Sequence, residues 1–118
     1  MAGIQRIDTN ARMSRVVIHG STVYVGGLTA QDGSQDIRGQ TENVLSRIEE
    51  YLKQAGTDKD HVISAQIFLK DIKRHYDGMN EVWDSWFNPG NAPIRACLES
   101  ELAREDLLVE IIMTAVLP

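Results

Sequence analysis

Two segments of this chain carry apolar residues at helical spacing, and each lies between segments that read as strands. This alternation of periods does most to restrict the fold. Across residues 35–55, Ile37, Thr41, Val44, Leu45, Ile48, Leu52 and Ala55 form one apolar stripe, while Glu42, Arg47, Glu49 and Lys53 occupy other faces. Ser34 or Asp36 can cap the start of this helix and Gly56 can end it. A second helix is expected from about Ile72 to Phe87, with Tyr76, Met79, Val82, Trp83 and Trp86 on its buried side and Asn88-Pro89-Gly90-Asn91 as its stop. Val16 to Ile18 and Val23 to Val25 read as two strands around the turn at His19-Gly20-Ser21. Val62 to Leu69 is a third, apolar on both faces in places and therefore expected inside a sheet. Two more close the chain, near 93–100 and 107–117. Gly26-Gly27 at the end of a strand suggests a bulge or the close approach of another group, and Asp32-Gly33 a turn.

The resulting order is ββαβαββ, an α+β fold with two helices packed on one face of a mixed or antiparallel sheet. The helices can cover only that face. The other has Tyr, Val, Ile and Leu side chains to hide, so self-association through it is expected. Residues 1–118 form one expected domain, with no repeat or linker to divide them. The only cysteine, Cys97, excludes an intrachain disulfide and suits a reducing compartment. Met1-Ala2-Gly3-Ile4 carries no basic segment followed by an apolar run, and no stretch approaches the roughly 20 apolar residues of a membrane span. The expected location is cytoplasmic. Formal net charge is −5, and the densest basic run, Lys70, Lys73, Arg74 and His75, is broken or flanked by Asp71 and Asp77. Neither nucleic acid nor membrane is an expected partner.

The chemistry-bearing candidates cluster near the C-terminus. Arg95 lies on an expected strand among apolar or small neighbours, Ile94, Ala96, Cys97 and Leu98. A guanidinium there either grips a ligand carboxylate with two parallel hydrogen bonds or pairs with a structural carboxylate. Glu110 interrupts the last strand between Val109 and Ile111, where a charge needs a partner or a task. It can orient a water and move its proton, or form a salt bridge. The last two strands are expected to be a hairpin with a short turn, which places Glu110 near the level of Arg95; whether the two share a face depends on register. Cys97 follows Arg95 by two and is expected on the same side of the strand. Gly26 and Gly27 either expose backbone to a ligand or form a plain bulge. His19, His61 and His75 are scattered, and no metal-ligand spacing, phosphate-binding loop or nucleophile elbow occurs. No metal or cofactor is expected. Trp83 and Trp86, three apart on a helix, read as core or sheet-covering residues rather than as a stacking platform.

Pro93-Ile94-Arg95-Ala96-Cys97 followed by Val109-Glu110-Ile111 resembles the C-terminal signature of the Rid family, the reactive-intermediate/imine deaminases and YjgF-type proteins, some misnamed translation-inhibitor endoribonucleases. Val23-Tyr24-Val25-Gly26-Gly27, Gln40-Thr41 with Asn43-Val44, Ala55-Gly56-Thr57, and Met79-Asn80 with Val82-Trp83 extend the resemblance over nearly the whole chain. It implies a chorismate-mutase-like homotrimer, with sheets packed into a central barrel and three clefts between subunits. It also implies cofactor-free hydrolysis of reactive 2-enamino or 2-imino acids to 2-keto acids and ammonia. On the matching positions, Arg95 would hold the substrate carboxylate, Glu110 would position water, Gly26 and Gly27 would offer backbone contacts, and Cys97 would line the cleft. One departure stands out. Well-studied members carry Gly-Pro-Tyr before the second strand, and its tyrosine contacts the ligand; here the segment is Arg12-Met13-Ser14-Arg15, and Met13 takes that approximate place. The chain therefore resembles a less characterised branch. A non-catalytic binder or sensor of small carboxylic acids is the alternative expectation, and a ribonuclease or translation inhibitor a third.

Overall fold

In the computed structural model, which describes residues 3–118, local sequence rules place both helices. Met1 and Ala2, which begin the Met1-Ala2-Gly3-Ile4 segment, lie outside the described residues. Helix α1 spans Ile37–Ala55; Asp36 caps it by accepting from the Gly39 amide, and Gly56 closes it in the left-handed region at φ 91°. A side chain at that angle is strained, which is why glycine ends this helix. The whole expected stripe from Ile37 to Leu52 is buried. Helix α2 spans Ile72–Trp86 and is capped by Asp71, which accepts from the Arg74 amide.

The strands are β1 (Ile4–Thr9), β2 (Ser14–His19), β3 (Thr22–Thr29), β4 (Val62–Leu69), β5 (Ile94–Glu99) and β6 (Val109–Val116). They form one mixed sheet in the order β1-β2-β3-β6-β4-β5, antiparallel except for the β4–β5 pair. Val16, Val23, Val25, Leu28, Ile67, Leu69, Val109, Ile111 and Met113 are buried beneath the helices. At roughly 1.5–3 kcal/mol for each large apolar side chain removed from water, this layer supplies most of the stabilisation.

Three expectations need correction. First, β1 precedes the ββαβαββ order. Its residues are exposed except for Ile7, so the alternation that marks a half-buried strand is missing. Second, β5 and β6 are not a hairpin: β4 lies between them, parallel to β5 and antiparallel to β6. Third, Tyr76 is not on the buried side of α2. His75, Gly78, Met79 and Trp83 are buried there, whereas Tyr76 is 40% exposed. Tyr76 stands over Arg95 on β5, the edge strand of the sheet, and so lies at the margin of the buried face. At Gly78 an added Cβ would stand 2.7 Å from Ile37 Cγ2, so glycine lets α2 lean closely on α1. Gly26-Gly27 forms the expected irregularity, but inside β3, where the pairing with β6 shifts between Val25 and Leu28.

Candidate functional site

The register sorts the candidate residues by face. Arg95 pairs with Ala65, which pairs with Met113, and the buried Ala65 and Met113 mark the helix side of the sheet. Arg95 therefore points toward α2. Its guanidinium carbon lies 5.4 Å from the Trp83 ring centroid and 5.9 Å from that of Tyr76. Nη2 donates to the Tyr76 hydroxyl at 3.3 Å. Nη1 is buried without a hydrogen-bond partner, and so is Oδ1 of Asn80, which lies between Tyr76 and Trp83 in the sequence of α2. A buried guanidinium N–H without an acceptor is costly, and a carboxylate oxygen is the group that best relieves it. No described carboxylate forms an ion pair with Arg95, so the structural-pair reading has no support within the chain.

Cys97 occupies the same face, two pairs along opposite Ile67, as its spacing from Arg95 requires. Burial pushes its thiol above the ordinary range, against the opposing pull of Arg95. It is suited to lining a site rather than to attacking as a thiolate. Glu99, next on that face, accepts from the Ile72 amide and ties β5 to the first turn of α2.

Glu110 belongs to the opposite face. It pairs with Phe68 of β4 and Thr29 of β3, and Phe68 pairs with Leu98. Its carboxylate lies over Gly27, where any Cβ would overlap Oε2. Glycine at 27 leaves room for this placement of the carboxylate. The neighbouring Gly26 packs beside the carbonyls of Ser14 and Arg15, 3.7 and 3.5 Å from where its Cβ would stand. Met13 directly precedes Ser14 in the β1–β2 turn; its amide donates to Asn10 Oδ1 at 2.9 Å, and its carbonyl accepts from the Asn10 amide at 2.9 Å. Met13, Gly26, Gly27 and Glu110 thus gather at one end of β2, β3 and β6.

The chain therefore brings its candidate residues together as two groups, not one. Arg95 and Cys97 lie on the helix face of the edge strand. The Glu110 group lies on the open face, with β4 intervening and with its row three residues further along β4. Sequence reasoning missed Tyr76 and Asn80 as neighbours of Arg95 and read Trp83 only as a core or sheet-covering residue. Tyr76, Asn80 and Trp83 recur at i, i+4 and i+7, which puts them on one helix face; a tyrosine and an asparagine at that spacing were the available signal. A separate groove lies elsewhere, between β1 and the polar side of α1, where Tyr51 donates to Asp8. Among the described residues no His, Cys, Asp or Glu cluster is arranged to hold a metal ion, and no helix is long and apolar enough to cross a membrane.

The family profile described as Endoribonuclease L-PSP matches residues 3–117. The chain belongs to this family, the YjgF/Rid proteins. A RutC family protein of Haemophilus ducreyi is 41% identical over 112 residues, covering 95% of each chain. The RutC family protein YoaB of Escherichia coli K12 is 38% identical over 112 residues, covering 95% of this chain and 96% of its own. Among solved structures, a YjgF-family protein of Neisseria meningitidis superposes with a TM-score of 0.94 at 38% identity, over 98% of this chain and 96% of that one. A YjgF/YER057c/UK114-family protein of Mycobacterium tuberculosis does so with a TM-score of 0.87 at 30% identity, over 98% of this chain and all of that one. The two helices on a mixed six-stranded sheet are thus the YjgF/Rid fold.

Proposed function

We propose that this Rid-family chain is a cytoplasmic, homotrimeric, cofactor-free deaminase. It hydrolyses small 2-imino or 2-enamino acids to 2-keto acids and ammonia, removing reactive intermediates. The observation that carries this reading is the buried, unpartnered Nη1 of Arg95 beside an aromatic ring, an arrangement suited to one carboxylate. Glu110 on the open face supplies the group that orients water toward the imine carbon and takes up its proton. Since Arg95 and Glu110 face opposite sides of the sheet, one ligand reaches both only where Arg95 of one subunit meets Glu110 of another. Clefts between trimer subunits provide such a meeting.

The test is imine hydrolysis. An amino-acid oxidase generates 2-iminopropionate and bulkier imino acids in situ, and their decay is followed with and without the protein. The expected result is acceleration by the wild type and its loss in Arg95→Ala. An Arg95→Ala variant with full activity would show this mechanism to be wrong. The specific observation favouring a second reading, a carboxylic-acid binder without turnover, is Met13, which offers no phenolic hydroxyl. That reading predicts saturable keto-acid binding and no accelerated decay with any imine. Ribonuclease activity, suggested by the family's name, has against it the net charge of −5 and the scattered histidines.

A further inference from the structure

Tyr76 has a polar group with nothing assigned to it. It projects from α2 toward Arg95, and its hydroxyl accepts from Arg95 Nη2 at 3.3 Å. That bond is long for a charged donor, so Tyr76 does not saturate the guanidinium. A phenol that accepts one hydrogen bond still has its own O–H to donate, and among the described residues this O–H meets no acceptor. Beside it, Nη1 of Arg95 is buried without a partner. Two donors with no acceptor therefore sit together at the edge of β5, one held by burial and the other on a residue that is 40% exposed.

We infer that Tyr76 is a second carboxylate-binding residue, donating its hydroxyl proton to one ligand oxygen while Arg95 Nη1 donates to the other. The inference rests on the reading of Arg95 as a carboxylate site and deepens it. Its ligand class is a small 2-oxo, 2-imino or 2-enamino acid with a free carboxylate. The Nη2 bond to the phenolic oxygen also aims the O–H outward, since the lone pair facing Arg95 is already occupied.

Tyr76→Phe isolates the hydroxyl, because it keeps the ring beside the guanidinium. The probes are pyruvate for binding and in situ 2-iminopropionate for turnover. The expected result is an unchanged melting temperature, a Kd for pyruvate and a KM for the imine each raised roughly tenfold, and kcat nearly unchanged, as for a bond made equally in ground and transition states. A tyrosine that only shields Arg95 would leave Kd and KM untouched in Tyr76→Phe. If pyruvate binding is lost in Arg95→Ala but unchanged in Tyr76→Phe, this inference fails while the carboxylate reading stands. If the wild type neither binds pyruvate nor accelerates imine decay, both fail.

Discussion

Arg95 was legible from its neighbours: a cation among Ile94, Ala96 and Leu98 on a strand has to be satisfied by something. What it faces was not legible, because that depends on the parallel pairing of Ala65 with Arg95, a contact across 30 sequence positions. Its planar fork also explains why charge alone will not substitute. Arg95→Lys should weaken pyruvate binding by about tenfold or more, measured by titration calorimetry, since an ammonium cannot lie beside Trp83 and offer two parallel N–H groups. Gln40 shows the same logic in a structural role. It is fully buried; Nε2 donates to the Asp106 carbonyl at 2.8 Å and the Gln35 carbonyl at 3.1 Å, and Oε1 accepts from the Leu108 amide at 2.8 Å. It joins the loop before α1 to the loop before β6, and so fixes the strand that carries Glu110. Gln40→Leu keeps the volume but strands these backbone groups, with an expected loss on the order of 2–4 kcal/mol in urea unfolding. His75 adds a pH dependence. Burial, helped by Arg74 and opposed by Asp71, lowers its pKa below the ordinary histidine value, so the folded state binds its proton less readily than the unfolded state. Stability from this group is present above the unfolded value of about 6.5 and declines as pH falls through it toward the lower folded value. Unfolding midpoints at pH 7.5 and 5.5 should therefore differ more in the wild type than in His75→Gln.

At the scale of elements, the helices were legible because their stripe and caps repeat within a few residues: Asp36, Gly56 and Asp71 act locally, and no distant contact is needed to recognise them. β1 escaped notice because Ile4 and Ile7 are its only apolar residues and their spacing is not that of a strand. The β5–β6 relation escaped for a different reason. Strands adjacent in sequence usually pair, and the insertion of β4 between them leaves no local trace. The contact of α1 with α2 permits a sharp test of packing against propensity. Gly78→Ala gains about 1 kcal/mol of intrinsic helix stability. The new methyl, however, would stand 2.7 Å from Cγ2 of Ile37, which is itself buried and fixed. Overpacking of this kind costs about 1–3 kcal/mol, so the net effect in denaturant unfolding should be destabilising. Gly27→Ala is the opposite case. The atom it meets is the end of the flexible Glu110 side chain, which can swing away. Unfolding should change little, while imine turnover falls because the carboxylate has been moved.

For the whole molecule, the decisive fact is that two helices leave one sheet face bare. Ile94 is 77% exposed, Tyr24 48% and Leu98 46%, and the register puts them on the same open face as Glu110. The need for a cover was legible from counting helices against strands; which copy contributes which residue was not, because that requires the faces of Arg95 and Glu110. Those faces make the proposed trimer testable in a way that oligomer size alone is not. If each site takes Arg95 from one subunit and Glu110 from the next, neither Arg95→Ala nor Glu110→Gln protein has an intact site alone. Unfolding the two together and refolding them as mixed trimers should restore both groups to some clefts, about a quarter of them under random assembly. The expected outcome is imine hydrolysis in the mixture well above that of either parent, absent when the two trimers are mixed without unfolding. Co-refolded protein no more active than its parents would mean that Arg95 and Glu110 do not serve one ligand across a subunit boundary.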